Sequence, residues 1–141
     1  MLLEKLINGV ETKEKLCFDN IEISHLEIDS RKCQDGSLYF AISGTQVEGH
    51  DFIYQAIKNG AVAVVCERAV NCSVPQIVVS DTRAAMSEIA ANFYLHPAKK
   101  LKMIGITGTN GKTSISYMIL AIAKKAKISC GVIGTSGISV D

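Results

Sequence analysis

The sequence predicts an α/β protein in two parts, and three observations support this expectation. Short apolar runs of strand length alternate with segments of helical spacing up to Pro97. After Pro97, a strand, a glycine-rich loop, a helix and a second strand follow in order, which is the pattern that opens a doubly wound parallel sheet. Charge divides at the same point, with 8 basic and 13 acidic residues in 1–97 but 7 lysines and one acid in 98–141. We therefore expect two domains, 1–97 and 98–141.

Composition narrows the class of protein further. The chain has 141 residues, of which 48% are hydrophobic and 21% charged, and such a composition is typical of a folded core rather than of disorder. No apolar run approaches the ~18–20 residues of a membrane span, and the N-terminus lacks a signal-peptide pattern. The five cysteines form no CxxC pair, so we expect reduced, packed thiols. These features predict a soluble, cytoplasmic protein.

The elements of the first part follow from periodicity and capping. Leu2, Leu3, Leu6 and Ile7 have the spacing of a short amphipathic helix. Asp51 is expected to cap a second helix that ends at Asn59-Gly60, and Asp81 a third that ends before Pro97. Four strands are predicted, at 26–28, 37–42, 61–66 and 77–80, the third buried on both faces.

The second part contains the sequence motif with the clearest chemical meaning. A strand is predicted at 101–107, a helix at 112–126 and a strand at 128–133. Between the first two lies Gly108-Thr109-Asn110-Gly111-Lys112-Thr113. Glycines there let backbone N–H groups close around a phosphate, and the following helix adds its N-terminal dipole. Lys112 is placed to reach the β- and γ-phosphates, and the Thr113 hydroxyl to bind Mg²⁺. The alternative is an ordinary glycine turn.

The spacing of this loop departs from the common phosphate-binding pattern, because Ile106 stands where a strict Walker A motif has its first glycine. After Thr113 the sequence offers one carboxylate, Asp141, and no histidine, so we expect the remaining groups for phosphoryl transfer to lie outside residues 1–141. The histidines His25, His50 and His96 are scattered and predicted to be surface or turn residues. No aromatic residues are interleaved with the lysines, so nucleic-acid binding is not expected.

These motifs together resemble the Mur ligases, the ATP-dependent amide-forming enzymes of peptidoglycan synthesis. The loop Thr107–Thr113 is similar to theirs, and three earlier segments are similar to the N-terminal domain shared by MurE and MurF. These segments are Ile28-Asp29-Ser30-Arg31, Asp35 to Gly44, and Glu48-Gly49-His50-Asp51-Phe52-Ile53. Thr109 and Ile133-Gly134-Thr135 favour the MurE type over MurF, which more often has serine at the position of Thr109.

The resemblance implies an N-terminal domain that binds the UDP end of UDP-N-acetylmuramoyl-L-alanyl-D-glutamate, followed by the start of the ATP-binding domain. In MurE-type ligases ATP phosphorylates the D-glutamate side chain, and meso-diaminopimelate or L-lysine displaces the phosphate. The residues that correspond to the UDP end are Ile28, Ser30, Thr45, Gln46 and Val47. Those that correspond to the ATP site are Gly108, Thr109, Asn110, Gly111, Lys112, Thr113 and Ser114, with Lys112 catalytic and Thr113 a Mg²⁺ ligand.

The resemblance also sets expectations about the rest of the molecule. Ser30 is expected to donate a hydrogen bond to a uridine or phosphate oxygen, while the Asp29-Ser30 pair alone would equally suit a capping turn. The diamino acid would bind outside these residues, in a bacterial cytoplasmic enzyme, and residues 1–141 alone are expected to be inactive without the C-terminal part of the ligase. A MurF-type ligase and a non-catalytic module that binds a UDP-sugar or nucleotide remain alternatives.

Overall fold

The computed structural model describes residues 1–13, 20–44 and 48–140. Contacts divide the chain into two compact units, Met1–Lys100 and Leu101–Asp141. No helix in the described part of the chain combines the length and apolar character that crossing a bilayer requires. The four described cysteines, Cys33, Cys66, Cys72 and Cys130, are free thiols, as expected from their spacing.

The first unit forms the helices and strands that periodicity predicted. The helices are α1 (Leu3–Leu6), α2 (Ile53–Lys58) and α3 (Thr82–Phe93), and the strands are β1 (His25–Glu27), β2 (Ser37–Phe40), β3 (Ala61–Cys66) and β4 (Gln76–Val78). Short 3₁₀ helices lie at Ser30–Lys32, Gly49–Phe52 and Pro97–Lys100. The Asp81 side chain accepts from the backbone N–H groups of Arg83 and Ala84 and so caps α3 as predicted.

A four-stranded parallel sheet in the order β1-β2-β3-β4 is the centre of the first unit. Leu38 of β2 lies between Leu26 of β1 and Ala63 of β3. Strands that are neighbours in the sheet are therefore also consecutive in the chain. Because they are parallel, each connection must cross back from the carboxyl end of one strand to the edge at which the next strand begins. All four strands consequently end at the same edge, where the segments that follow them are gathered.

Apolar side chains cover both faces of this sheet. One face packs beneath α1 and α3, where Leu38 and Phe40 meet Leu6 and Ile89. The other packs beneath α2, where Tyr39 belongs to the same buried cluster as Ile53 and Ala56. Alternate residues of β2 thus enter opposite cores, as the pleat of a strand requires. The continuous apolar sequence of β3 is buried on both faces, which confirms the prediction made from its composition.

The turn after β1 is fixed by one carboxylate. Asp29 Oδ1 accepts from the backbone N–H of Arg31 at 3.0 Å and caps the 3₁₀ helix Ser30–Lys32. The guanidinium of Arg31 binds the same carboxylate through Nε at 2.9 Å and a terminal nitrogen at 2.8 Å. This side-chain hydrogen bonding lowers the pKa of Asp29 from 3.8 to about 2. Asp29 thus holds the start of the segment that contains Ser30.

The segment after residue 47 approaches the end of β2 very closely at Gly49. The Gly49 N–H donates to the Ile42 carbonyl at 3.0 Å, and its own carbonyl accepts from the buried Tyr39 hydroxyl at 3.1 Å. A Cβ on Gly49 would lie 2.5 Å from the Ile42 nitrogen and oxygen, so only glycine fits. Glu48, and not Asp51, caps the helical turn that follows, because its side chain accepts from the His50 N–H. The prediction of an Asp51 cap is therefore wrong.

The described part of the second unit contains one long helix, α4 (Lys112–Lys125), and an antiparallel pair, β5 (Gly131–Gly134) and β6 (Gly137–Val140). The helix agrees with its prediction. The expected strand at 101–107 is not formed, and the described strands of this unit pair antiparallel rather than in parallel. A central parallel strand needs a hydrogen-bonded strand on each side, and no described segment of this unit pairs with residues 101–107. No described residue of the unit is buried.

We predict that Gly49→Ala destabilises the first unit by about 1–3 kcal/mol or more, because the added methyl group collides with backbone atoms that cannot rotate away. Urea unfolding followed by far-ultraviolet circular dichroism measures the change. Gly105→Ala is the matched control, since a Cβ on Gly105 meets nothing within 4 Å. Equal midpoints for the two variants would show that the approach at Gly49 is not tight.

We predict that Arg31→Gln returns the pKa of Asp29 from about 2 toward 3.8, because the variant removes the hydrogen bonds that favour the carboxylate. The hydrogen bonds between Asp29 and Arg31 stabilise the fold at pH values above the pKa of Asp29 in the unfolded chain. This stabilisation is lost as the pH falls through about 2, the pKa of Asp29 in the folded chain. Titration of the side-chain carboxyl carbon by NMR measures the pKa in both chains. Lys32→Gln serves as the control and should change the pKa little. An unchanged pKa in Arg31→Gln would assign the shift to the backbone N–H instead.

Candidate nucleotide and substrate sites

The residues predicted for the UDP end follow the ends of two neighbouring strands. Ile28 and Ser30 come after β1, and Ser43 and Gly44, which precede the predicted residues 45–47, come after β2. The carboxyl ends of parallel strands form the edge where open α/β sheets bind ligands. Thr45, Gln46 and Val47, predicted for the same site, lie outside the described residues.

Ile28 and Ser30 present very different surfaces at this edge. Ile28 is 61% exposed, so its apolar side chain is accessible to a ligand. Ser30 is only 5% exposed. Its hydroxyl donates to Gln55 Oε1 at 3.3 Å, and its carbonyl accepts from Asn59 Nδ2 at 2.9 Å. Helix α2 and the residue that follows it therefore hold Ser30 in place.

The contact with Gln55 changes what Ser30 can offer a ligand. A hydroxyl has one proton and two lone pairs, and in this structure the proton is directed to Gln55. The atom left to a ligand is an acceptor. Ser30 in this arrangement suits an N–H or O–H donor of a ligand, such as a ring N–H or a sugar hydroxyl. Donation to a uridine or phosphate oxygen, as expected from the sequence, would require the hydroxyl to rotate away from Gln55.

A polar cluster around one buried side chain lies at the ends of β2 and β3. His50 is 5% exposed, so of its prediction as a surface or turn residue only the turn is confirmed, because it lies in the 3₁₀ helix Gly49–Phe52. Its Nδ1 lies 2.6 Å from Glu48 Oε1, and its Nε2 accepts from the backbone N–H groups of Glu67 at 3.2 Å and Arg68 at 3.4 Å. The hydrogen bond from His50 lowers the pKa of Glu48, which therefore stays ionised. We call Ser43, Glu48, His50 and Glu67 the edge cluster.

One sequence signal could have revealed this cluster. Glu48, Gly49 and His50 belong to a segment on which the family resemblance rests, but the scattered positions of the three histidines give no sign of a shared site. Its partner Glu67 is 17 positions away, and only the parallel order of β2 and β3 brings the two together. Local patterns along the chain do not contain that contact.

In the second unit, the loop 108–111 leads directly into α4. Gly111 is the residue before the helix and has φ +78°, and Gly108 has φ +147°. Side-chain-bearing residues rarely adopt either conformation. A Cβ at Gly111 would meet no atom within 4 Å, so it is the backbone conformation rather than crowding that favours glycine there. Thr109 and Asn110, predicted for the same site, are exposed between the two glycines.

Lys112 folds back over this loop. Its Nζ donates to the Gly108 carbonyl at 2.5 Å and to the Thr109 carbonyl at 3.2 Å. The ammonium therefore sits at the loop rather than in open solvent, although Lys112 is the first residue of an exposed helix. A positive charge and a helix N-terminus meet there, a combination that favours the binding of anions such as phosphates.

Thr113 and Ser114 complete the first turn of α4, and both are exposed. A threonine hydroxyl beside bound phosphates is a typical Mg²⁺ ligand, because Mg²⁺ keeps several waters and takes few protein oxygens. The exposed first-turn position of Thr113 fits that role. Elsewhere in the described residues, no group of three or more His, Cys, Asp or Glu side chains is arranged to hold a metal ion.

Comparison with protein families accounts for both units. The model described as "Mur ligase family, catalytic domain" matches residues 22–94, which is more than half of the chain. The model described as "Mur ligase middle domain" matches residues 106–141. The second match includes the glycine loop and α4.

Curated relatives are similar over most of the chain. The UDP-N-acetylmuramoyl-L-alanyl-D-glutamate--2,6-diaminopimelate ligase of Geobacillus thermodenitrificans is 47% identical over 121 residues, which cover 86% of this chain and 25% of that protein. A ligase of the same name from Clostridium acetobutylicum is 44% identical over 140 residues, covering 96% and 28%. The chain thus spans about a quarter of the length of the curated relatives it matches.

Solved structures are similar in fold. A UDP-N-acetylmuramoyl-L-alanyl-D-glutamate--2,6-diaminopimelate ligase matches with a TM-score of 0.74 and 29% identity, covering 99% of this chain and 28% of that one. MurF from Acinetobacter baumannii matches with a TM-score of 0.69 and 28% identity, covering 88% and 27%. MurF from Thermotoga maritima in complex with ADP, at 24% identity and a TM-score of 0.60, covers 77% and 25% and shares the fold.

These matches confirm the resemblance to MurE-type ligases that the motifs indicated, since relatives of that name are 44–47% identical over most of the chain. They agree with the α/β architecture and the parallel sheet of the first unit. The chain belongs to the Mur ligase family.

Proposed function

We propose that this chain provides the UDP-binding domain and the first part of the ATP site of a MurE-type ligase, with domains 1–97 and 98–141. The glycine loop carries the proposal. It combines two glycines of positive φ with Lys112 folded over them, and it lies inside the middle-domain match. Curated relatives that are 44–47% identical are named as diaminopimelate ligases, which favours the MurE type.

ATP is proposed to bind along the loop and the first turn of α4. Backbone N–H groups from Gly108 to Ser114 would contact the phosphates, and Lys112 would exchange a loop carbonyl for a phosphate oxygen. Thr113 would hold Mg²⁺, which supplies charge neutralisation at the phosphates. We also propose that the complete ATP-binding domain contains a doubly wound parallel sheet. Residues 101–107 would form one of its strands when other strands of that domain lie on both sides.

The UDP end of UDP-N-acetylmuramoyl-L-alanyl-D-glutamate is proposed to bind at the carboxyl edge of the first sheet. Ile28 would pack against a flat apolar group such as the uracil ring, and Ser30 would accept a hydrogen bond. Thr45, Gln46 and Val47 are assigned to this site by resemblance. The exposure of Ile28 and the fixed orientation of Ser30 support the assignment.

The reaction proposed for the whole enzyme is amide formation through an acyl phosphate. The D-glutamate carboxylate accepts the γ-phosphoryl group of ATP, and the amine of the diamino acid then displaces phosphate. The names of the relatives favour 2,6-diaminopimelate over lysine as that diamino acid. Lys112 and the loop N–H groups would stabilise the negative charge on the transferring group. A bacterial cytoplasmic location is part of the same proposal.

The proposed enzyme also requires residues outside 1–141. The second unit leaves the apolar face of α4 uncovered, with Ile115 47%, Met118 63% and Ile122 68% exposed. Stripes of this kind are normally covered by a neighbouring element. The matched region is 25% of the length of the Geobacillus relative. The rest of a middle domain would cover this face and bring the further groups that phosphoryl transfer needs.

We predict that Lys112→Ala lowers the affinity of the chain for Mg²⁺-ATP by about tenfold or more, because a charged hydrogen bond to phosphate is worth about 1.5–3 kcal/mol. Isothermal titration calorimetry measures the dissociation constant. Lys125→Ala is the matched control, since Lys125 lies in the last turn of the same helix and should leave the affinity unchanged. An equal loss in both variants would indicate attraction by overall charge, and no loss in Lys112→Ala would contradict the proposed ATP site.

A further inference from the structure

The end of α2 holds Ser30 from outside its own turn. Asn59, the half-buried residue that follows α2, donates from Nδ2 to the Ser30 carbonyl at 2.9 Å. Gln55, about one helical turn earlier, accepts from the Ser30 hydroxyl at 3.3 Å. Residues four positions apart in a helix project to the same side, so both side chains reach Ser30 together. One helix end thus contacts the backbone and the side chain of a residue predicted to bind the UDP end.

Hydrogen bonds within the turn fix its shape but not its place. The Asp29 carboxylate binds Arg31, two residues further on, and the Cys33 N–H donates to the Ser30 carbonyl at 3.4 Å. Both contacts join residues within three positions of one another, so they would persist if the turn moved as a unit. The hydrogen bond from Asn59 to Ser30 joins residues 29 positions apart. It therefore holds the turn against the rest of the first unit.

The strand before the turn gives Ser30 little support. In the described part of the chain, β1 has three residues and is an end strand of its sheet, paired with β2. An end strand is hydrogen-bonded to a neighbour on one side only. Beyond Ser30, Cys33 is buried in the cluster beneath α2, which fixes the far end of the turn. Ser30 lies between these two points, where the Asn59 amide holds its backbone.

Asn59 is itself fixed on both sides. Its backbone N–H donates to the carbonyls of Gln55 at 3.0 Å and Ala56 at 3.1 Å, which ends the helix. A Cβ on the next residue, Gly60, would lie 2.5 Å from the backbone nitrogen of Asp35, so the two backbones are in close contact. This approach attaches the end of α2 to the segment that leads into β2. The Asn59 side chain therefore extends from a backbone that cannot shift freely.

We propose that Asn59 is a positioning residue for binding of the UDP end, acting through its hydrogen bond to the Ser30 carbonyl. This inference rests on the proposed function, because it assumes that Ser30 contacts the UDP end. Asn59 acts on the backbone of Ser30 and leaves the hydroxyl to Gln55 and the ligand. A binding residue that is fixed before the ligand arrives loses less conformational freedom on binding. Removal of the Asn59 amide should therefore weaken binding without removing a ligand contact.

Asn59→Ala removes the amide and keeps the backbone, because Asn59 has a φ of −88°, a value that alanine can adopt. We expect this variant to bind UDP about fivefold more weakly, since the apparent dissociation constant rises as the fraction of chains with Ser30 in place falls. The dissociation constant is measured from the amide NMR signals of residues 28–31 in the ¹⁵N-labelled chain. These signals report the site itself, so UDP bound at the glycine loop is not counted.

Asn92→Ala is the matched control, because Asn92 makes the same kind of contact on the other face of the sheet. Its Nδ2 donates to the carbonyls of Leu6 at 2.8 Å and Asn8 at 2.9 Å, where α1 and α3 pack. Both variants lose side-chain hydrogen bonds to backbone carbonyls, so both should melt below the parent chain. Asn59→Ala should also lose affinity for UDP, whereas Asn92→Ala should bind UDP like the parent chain.

Two further measurements keep the test decisive. Backbone ¹⁵N order parameters of residues 29–32 should fall in ligand-free Asn59→Ala and not in Asn92→Ala, because only the former releases the turn. If Asn59→Ala does not fold, Asn59→Asp keeps the shape of the side chain and directs an oxygen at the Ser30 carbonyl. Uridine is the probe for that variant, since it has no phosphate for the new carboxylate to repel, and it should bind more weakly than to the parent chain.

Parent-like affinity in Asn59→Ala, or for uridine in Asn59→Asp, overturns the positioning role. So does an affinity that falls in both alanine variants along with their melting temperatures, because that is the behaviour of a purely structural residue. Unchanged order parameters at 29–32 in Asn59→Ala overturn the hold of Asn59 on the turn. A parent chain whose signals at 28–31 do not respond to UDP contradicts the proposed function instead, and the order parameters then still decide whether Asn59 fixes the turn.

Discussion

The parallel direction of four short strands is the constraint on which the rest of the first unit depends. Because all four run the same way, each connection must return to the start of the sheet, and every strand ends at one edge. Ser30, Ser43 and Glu67 are at least 13 positions apart in sequence but follow the ends of β1, β2 and β3. The same topology explains the buried cores on both faces and the edge at which these polar residues lie.

Burial of His50 and Ser30 at that edge is tolerated because their polar atoms have partners. His50 satisfies both ring nitrogens, Glu48 accepts from two N–H groups and a hydroxyl, and Ser30 is held by Gln55 and Asn59. A half-satisfied network would destabilise the fold. Gly49 makes the arrangement possible, because any larger residue would separate the cluster from β2. The second unit differs, since none of its described residues is buried in a core.

Local sequence signals predicted the elements well and the contacts between them only in part. The apolar run of β3, the Asp81 cap and the glycine loop before Lys112 were all evident, because each depends on neighbouring residues. The burial of His50 was missed, since its partners Glu67 and Arg68 become neighbours only when β2 and β3 pair. The strand expected at 101–107 is not formed, because it too depends on residues far away in sequence. Its apolar sequence suits a central strand, and a central strand forms only when strands on both sides provide hydrogen bonds.

The two nucleotides are proposed to bind at two separate places, the UDP end at the carboxyl edge of the first sheet and ATP at the glycine loop. Amide NMR spectra of the ¹⁵N-labelled chain test this separation most directly, with UDP and Mg²⁺-ATP added in separate titrations. We predict that UDP shifts the amide signals of 28–31 and 48–50, while ATP shifts those of 108–114. UDP-induced shifts confined to 108–114, with 28–31 unmoved, would contradict it.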